Sequence, residues 1–225
     1  MKKGMLFAIV ALLLCVTAAR AQKAEISYFE DYRWHGVKLF GHDYVHLGVA
    51  TEVQGIDVSA VSHVGENHDD VEYWDTVLGY KLPVDGLNVS GGYGYLLLPG
   101  MDAQEMSLTI GLPGTISPRY TISHVVPDNA ANGQIHTLGF DVFLGDDPNA
   151  ITADLMMEVT YNDGVNPFGG AVIRDFTHIT VGAILKIPMQ GFTLCPQVYY
   201  QHTFEEKIEI DKNVCWYGIG MQYEF

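Results

Sequence analysis

Apolar and polar residues alternate with a period of two along nearly the whole chain. Met106, Leu108, Ile110 and Leu112 interleave with Glu105, Ser107, Thr109 and Gly111. Ile151, Ala153, Leu155, Met157 and Val159 interleave with Thr152, Asp154, Met156, Glu158 and Thr160. Successive side chains of a strand point to opposite faces, so the pattern predicts strands with one oily face. Clusters of Gly, Pro, Asn and Asp divide it into twelve segments: 25–35, 43–53, 56–64, 71–82, 86–97, 104–112, 117–126, 134–144, 150–161, 173–187, 191–203 and 213–225. Most have the length of about 9–11 residues that a tilted membrane strand needs, and their number is even. The expected fold is all-β: a closed antiparallel transmembrane barrel of about 12 strands.

The connections point the same way. Taken alternately, one set is short and turn-like ("VQGI", "PVDGL", "LPGTI", "GDDPN", "PMQG"), and the other is on the whole longer and more polar ("GVKLFGHD", "GENHDD", "LPGMDA", "PDNAANG", "NDGVNPFGG", "TFEEKIEIDKN"). Short periplasmic turns and longer extracellular loops are the asymmetry of an outer-membrane barrel. A water-soluble β-sandwich also alternates, with its apolar face in a core, but nothing makes it sort its loops. The chain stops on Tyr217, Ile219, Met221, Tyr223 and Phe225 at every second position, with no polar tail. Chain ends fray unless tied down, so this last strand is expected to be a seam of the wall. In a bilayer every backbone N–H and C=O needs a partner, which strands achieve only by closing into a ring. Tyr44, Tyr73, Tyr95, Tyr120 and Tyr161, near strand ends, fit interfacial girdles.

Lys2 and Lys3 precede an apolar run from Met5 to Ala18, then Ala19-Arg20-Ala21. This is the form of a secretory signal, expected at 1–21 with cleavage after Ala21, and too short to span a bilayer. The barrel then occupies 22–225 as one domain, delivered by signal-directed export to the bacterial outer membrane. Without the signal the chain carries 9 basic and 27 acidic residues, which excludes nucleic acid as a natural partner. Two cysteines remain, Cys195 and Cys215, on opposite faces of their strands, so no essential disulfide is expected.

With the apolar parity on lipid, the other parity lines a lumen: Asp31, Arg33, Glu52, Asp57, Asp75, Lys81, Glu105, Arg119, Asp141, Asp154, Glu158, Lys186 and Glu224. Nine of these thirteen are acidic, and carboxylate rings favour cations in a pore. The expectation is a narrow, weakly cation-preferring channel for passive diffusion of small solutes. The alternative is a lumen plugged by cross-paired charges, leaving a structural or adhesive barrel. One segment misbehaves: the parity placing Tyr28, Tyr32 and Trp34 on lipid puts Glu30 there too.

"DYRWHGVKL" at 31–39 resembles the Asp-Tyr-Arg-aromatic-Arg-Gly opening of the TorF-type porin family. "LGYKLPVDGLNVSGGYGYLLLPG" at 78–100 resembles that family's hairpin, in which a glycine-tyrosine strand follows a short turn. The chain departs from it at His35, where the family more often has Arg. The final aromatic strand resembles that of outer-membrane barrels at large, whose terminal Phe is read by the barrel-assembly machinery. The resemblance implies a small outer-membrane channel whose partners are outer-membrane lipid, that machinery during biogenesis, and small solutes or cations.

Nine histidines survive signal removal, and His35, His42, His63, His68, His124, His136 and His202 map near the extracellular rim, where polar rim residues are the simplest account. No spacing of His or carboxylates makes a dedicated metal or cofactor site. Hydrolase chemistry on the wall would draw on Ser123-His124 or on His68-Asp69-Asp70. Neighbours on a strand face opposite ways, so Ser123 and His124 cannot pair, and no G-x-S-x-G is present. No catalytic residue is assigned, and no enzyme is expected.

Overall fold

A computed structural model describes residues 23–30, 32–35, 37–40, 43–53, 56–67, 70–98, 101–128, 132–165, 173–204 and 213–225. The expected signal segment, Asp31, His42, His68 and Asp69 lie outside these residues. The strands are β1 (Lys23–Phe29), β2 (Tyr32–Trp34), β3 (Val37–Phe40), β4 (Tyr44–Val53), β5 (Ile56–Asn67), β6 (Asp70–Val84) and β7 (Leu87–Leu98). The chain continues through β8 (Met101–Gly111), β9 (Ile116–Pro127), β10 (Gly133–Leu144), β11 (Thr152–Asp163), β12 (Arg174–Met189), β13 (Phe192–Thr203) and β14 (Asn213–Glu224).

β1 and β4 to β14 close one antiparallel barrel in chain order, so the wall has 12 strands. β1 is the seam: Lys23 to Phe29 pair with Glu224 to Gly218 of β14 and with Ala50 to Tyr44 of β4. The terminal strand is therefore held on both edges, which is what the bare aromatic terminus required. Along the barrel the exposed parity is apolar, with Ile26, Leu108, Ile110, Leu155, Met157, Val181 and Ile219 all exposed. The buried set is rich in Ser27, Ser123, Thr160, Thr180, Gln201 and Thr203. Water-soluble proteins distribute these types the other way round. An inside-out distribution on a closed ring is what a hydrocarbon surround selects.

Tight turns join the strands at one rim. Asp85-Gly86 connects β6 to β7, and Gly86 takes φ 72°, a region that side chains with a Cβ enter only at a cost. Three of the expected long connections, 128–132, 164–173 and 204–212, fall at the other rim. Two others are shorter than the sequence suggested, because the strands run on: Asn67 pairs with Asp70, and Leu98 with Met101. On the opposite rim the expected "GDDPN" turn opens into a wider connection, 145–151. Thr177 is an extra residue in β12, since Thr160 pairs with His178 but Tyr161 with Phe176, a bulge that sharpens the local twist.

The largest difference lies at the first strand. The segment expected as 25–35 leaves the wall at Phe29, and among the described residues β2 and β3 pair with each other as a separate two-stranded sheet. Glu30, whose parity clashed with lipid, sits where the chain departs, its N–H donating to the Tyr217 carbonyl at 3.1 Å. Ending the wall strand there removes the need to seat a carboxylate in a membrane-facing row. The expected loop "GVKLFGHD" thus contains the second strand of this hairpin.

Candidate functional site in the lumen

The inner parity assembles a belt of charge from strands far apart in sequence. Arg119 on β9 lies across Gly139 of β10, where a Cβ would stand 2.8 Å from the guanidinium carbon, so only glycine lets the side chain lie flat. From there Arg119 Nε donates to Asp141 Oδ2 at 2.8 Å, and Nη2 donates to Glu158 of β11. All three side chains are between a fifth and a quarter exposed, and the fork geometry of guanidinium suits two carboxylates at once. Lower on β11 and β12, Lys186 pairs with Asp154 at 2.5 Å.

The β2–β3 hairpin reaches this belt. His35 at its tip takes φ 47°, and its Nε2 lies 3.0 Å from Glu105 Oε1 on the inner face of β8, 70 residues away. Burial alone would lower the His35 pKa, but the adjacent Glu105 carboxylate, by charge and hydrogen bond, and Glu158 beyond it raise it overall. On the seam side His46 stands between Glu25, with which its Nε2 pairs, and His63, whose Nε2 is 2.9 Å from His46 Nδ1. Aromatic rings continue the inner surface. Phe29 stacks on Tyr44 at 4.9 Å between centroids, and Tyr199 on Trp216 at 5.3 Å.

Of the residues assigned to the lumen from sequence, Glu105, Arg119, Asp141, Asp154, Glu158 and Lys186 fall in these clusters. Glu52 and Lys81 are exposed, Glu224 pairs with Lys23 at 3.3 Å in solvent, and the side chains of Arg33, Asp57 and Asp75 are outside the described residues. Sequence reasoning missed Glu25, His46, His178, Tyr199, Gln201 and Trp216. Glu25 shares the parity of Asp31 and Arg33 and was legible; the others are uncharged side chains that a search for charge overlooks. Two expectations need correcting. His35 lies inside the barrel rather than at the rim; His63, which faces His46 across β4 and β5 two residues in from the Tyr44–Gly65 pair, keeps its place near the rim with its ring on the inner face. Tyr44 is a buried ring on Phe29 and not a girdle residue, because its parity on β4 is that of His46. A chain of outer-face rings does run through Tyr120, His136, Tyr161 and Phe176. Ser123 is buried on the inner parity and His124 lies on the other face of β9. Cys195 is buried and Cys215 exposed.

No family model matches this chain, and no curated protein matches it. Solved barrels do. The KdgM porin, in complex with disordered oligogalacturonate, is 12% identical over 90% of this chain and 99% of its own, with a TM-score of 0.57. An outer-membrane channel from Pseudomonas putida F1 is 7% identical over 92% of this chain and 96% of its own, with a TM-score of 0.60. LpxR from Salmonella typhimurium is 9% identical over 90% of this chain and 100% of its own, with a TM-score of 0.55. At such identities the likeness shows the fold, an outer-membrane-type barrel.

Proposed function

We propose that this chain is an outer-membrane channel for passive diffusion of small solutes, narrow and weakly cation-preferring, with no catalytic activity. The observation that carries the reading is a polar, carboxylate-rich inner face on a closed ring whose outer face is apolar. Among the described residues one cation, Arg119, serves two carboxylates, Asp141 and Glu158. The excess negative charge acts in a low-dielectric wall, which strengthens its field on a passing ion. The lumen residues Asp31, Arg33, Asp57 and Asp75 complete the pore lining in this reading, and the resemblance of the stretches 31–39 and 78–100 to TorF-type porins supports it. Export by the 1–21 segment and recognition of Phe225 by the barrel-assembly machinery deliver it to the outer membrane.

Reversal potential of single channels in a potassium chloride gradient tests this. A potential toward the potassium equilibrium value is expected, and one toward chloride would overturn the lumen assignment. The second reading, a closed structural or adhesive barrel, is favoured by one observation: the hairpin tip crosses to Glu105 and narrows the passage. A lipid-acting hydrolase is the weakest reading, because Ser123 and His124 diverge to opposite faces. It has only the shared fold of LpxR beside it.

A further inference from the structure

Beside the seam, at the rim that carries the tight turns, the inner wall holds a cavity of about 270 Å³. A cavity of about 150 Å³ holds one benzene ring, so this one takes a body of several carbons with water around it. Two successive rows of inward positions build it. One row is Gln222 of β14, Glu25 of β1, Gly48 of β4 and Val61 of β5, in register. The next row, on the same strands, is Glu224, Lys23, Ala50 and Ser59. The floor on β4 and β5 is therefore small and largely apolar, with the Ser59 hydroxyl at one corner. The side toward β1 and β14 carries the charge.

Glu25 reaches over this floor because Gly48 lets it: a Cβ there would stand 2.7 Å from Glu25 Cγ. Its carboxylate accepts from Gln222 Nε2 at 3.3 Å and pairs with His46 Nε2, so strands on both sides fix it. His46 uses its two ring nitrogens on Glu25 and His63, which makes the imidazoles supports of the carboxylate. A carboxylate has about four lone-pair sites, so these two contacts leave Glu25 able to accept from a further donor. Its side chain is 34% exposed. Among the described residues no Lys or Arg pairs with it, whereas Asp141 and Glu158 share Arg119, and Asp154 holds Lys186. Lys23 and Glu224 face each other at 3.3 Å and cancel, so Glu25 leaves the cavity one negative charge.

We propose that this cavity is a binding subsite for a small organic cation, its ammonium on Glu25 and its hydrocarbon body on Gly48, Ala50 and Val61. A primary ammonium carries three donors and no acceptor, the complement of a carboxylate, and the bond between them is charge-assisted. The apolar floor favours a carbon chain over a bare ion. An anion would meet Glu25 with only Lys23, already paired, to receive it. The subsite deepens the cation-preferring channel read above and rests on the same lumen, but binding is measured separately from conduction.

The test is saturation-transfer NMR on the full chain refolded in detergent micelles at neutral pH, with n-butylammonium, butyrate and n-butanol as probes of similar size and different charge. Transfer to n-butylammonium above that of empty micelles is expected, with affinity falling about ten-fold in Glu25→Gln, the loss of a charge-assisted bond of roughly 1.4 kcal/mol. Ala50→Leu, which fills the floor, should weaken n-butylammonium more than methylammonium, and heat-modifiable gel mobility reports that each variant is folded. No transfer to n-butylammonium, equal transfer to butyrate or n-butanol, or unchanged affinity in both folded variants would overturn the proposal. n-Butylammonium binding by a protein that conducts no ions would leave the subsite standing and remove the channel. Conduction without n-butylammonium binding would do the reverse.

Discussion

Met156 and Met157 are the same side chain at adjacent positions on opposite faces of β11, and arginine at each measures the medium on that side. Met157 is 40% exposed, with Phe140 and Val181 beside it in register, halfway along its strand. Were that face in water, Met157→Arg would be an ordinary surface change within about 0.5 kcal/mol. In hydrocarbon, arginine at the midplane costs about 2–4 kcal/mol. Met156 faces the lumen beside Asp141 in register, and two residues from Glu158, so Met156→Arg meets water and carboxylates. Its cost is expected to be about 1 kcal/mol or less. The assay is reversible urea unfolding of each variant in phosphocholine vesicles, followed by tryptophan fluorescence. The expected difference between the two variants is about 1–4 kcal/mol, with Met157→Arg the worse. Equal midpoints, or a larger loss at Met156, would refute the assignment of faces.

Other consequences are as direct. Arg119→Ala leaves Asp141 and Glu158 without their cation, so the reversal potential in a salt gradient should move further toward the cation. No movement would place these carboxylates off the conduction path. The raised His35 pKa gives a sign: the charged contact with Glu105 is complete below the ordinary histidine value of about 6.5 and is lost as pH rises through the higher folded value. Single-channel conductance should therefore increase as pH rises through that higher value, and His35→Ala should conduct at the high level at all pH values. Gly182→Leu would drive a side chain into Tyr199 and should destabilise by about 1–3 kcal/mol, read from the urea midpoint. Removing Phe225 should lower the fraction of chain recovered as heat-modifiable protein in the outer membrane.

Most of the wall was legible because period-two patterning reports one thing well, which face a side chain must avoid. The segment 134–144 became Gly133–Leu144 and 191–203 became Phe192–Thr203, since each runs between unambiguous turn residues. The first strand was misread because "YFEDYRWH" keeps its aromatic alternation straight through the point where the chain leaves the wall. Tyr32 and Trp34 look lipid-facing by parity alone. Glu30 carried the correcting signal, an acid in an oily row. The lumen was legible in its charges and opaque in its pairings. That Arg119 would hold Asp141 and Glu158, or that His35 would reach Glu105, depends on strand register and on a hairpin folding inward. The Tyr199–Trp216 pair depends on β13 lying beside β14 with those two residues opposite each other.

The decisive measurement is polarised infrared spectroscopy of the folded protein in oriented bilayers, with the amide bands followed during exchange into heavy water. Strands tilted about 35–45° from the membrane normal, with most amides protected, are expected of a ring closed in hydrocarbon. A protein that stays folded in buffer without detergent, leaves the vesicles and shows no strand orientation would contradict it.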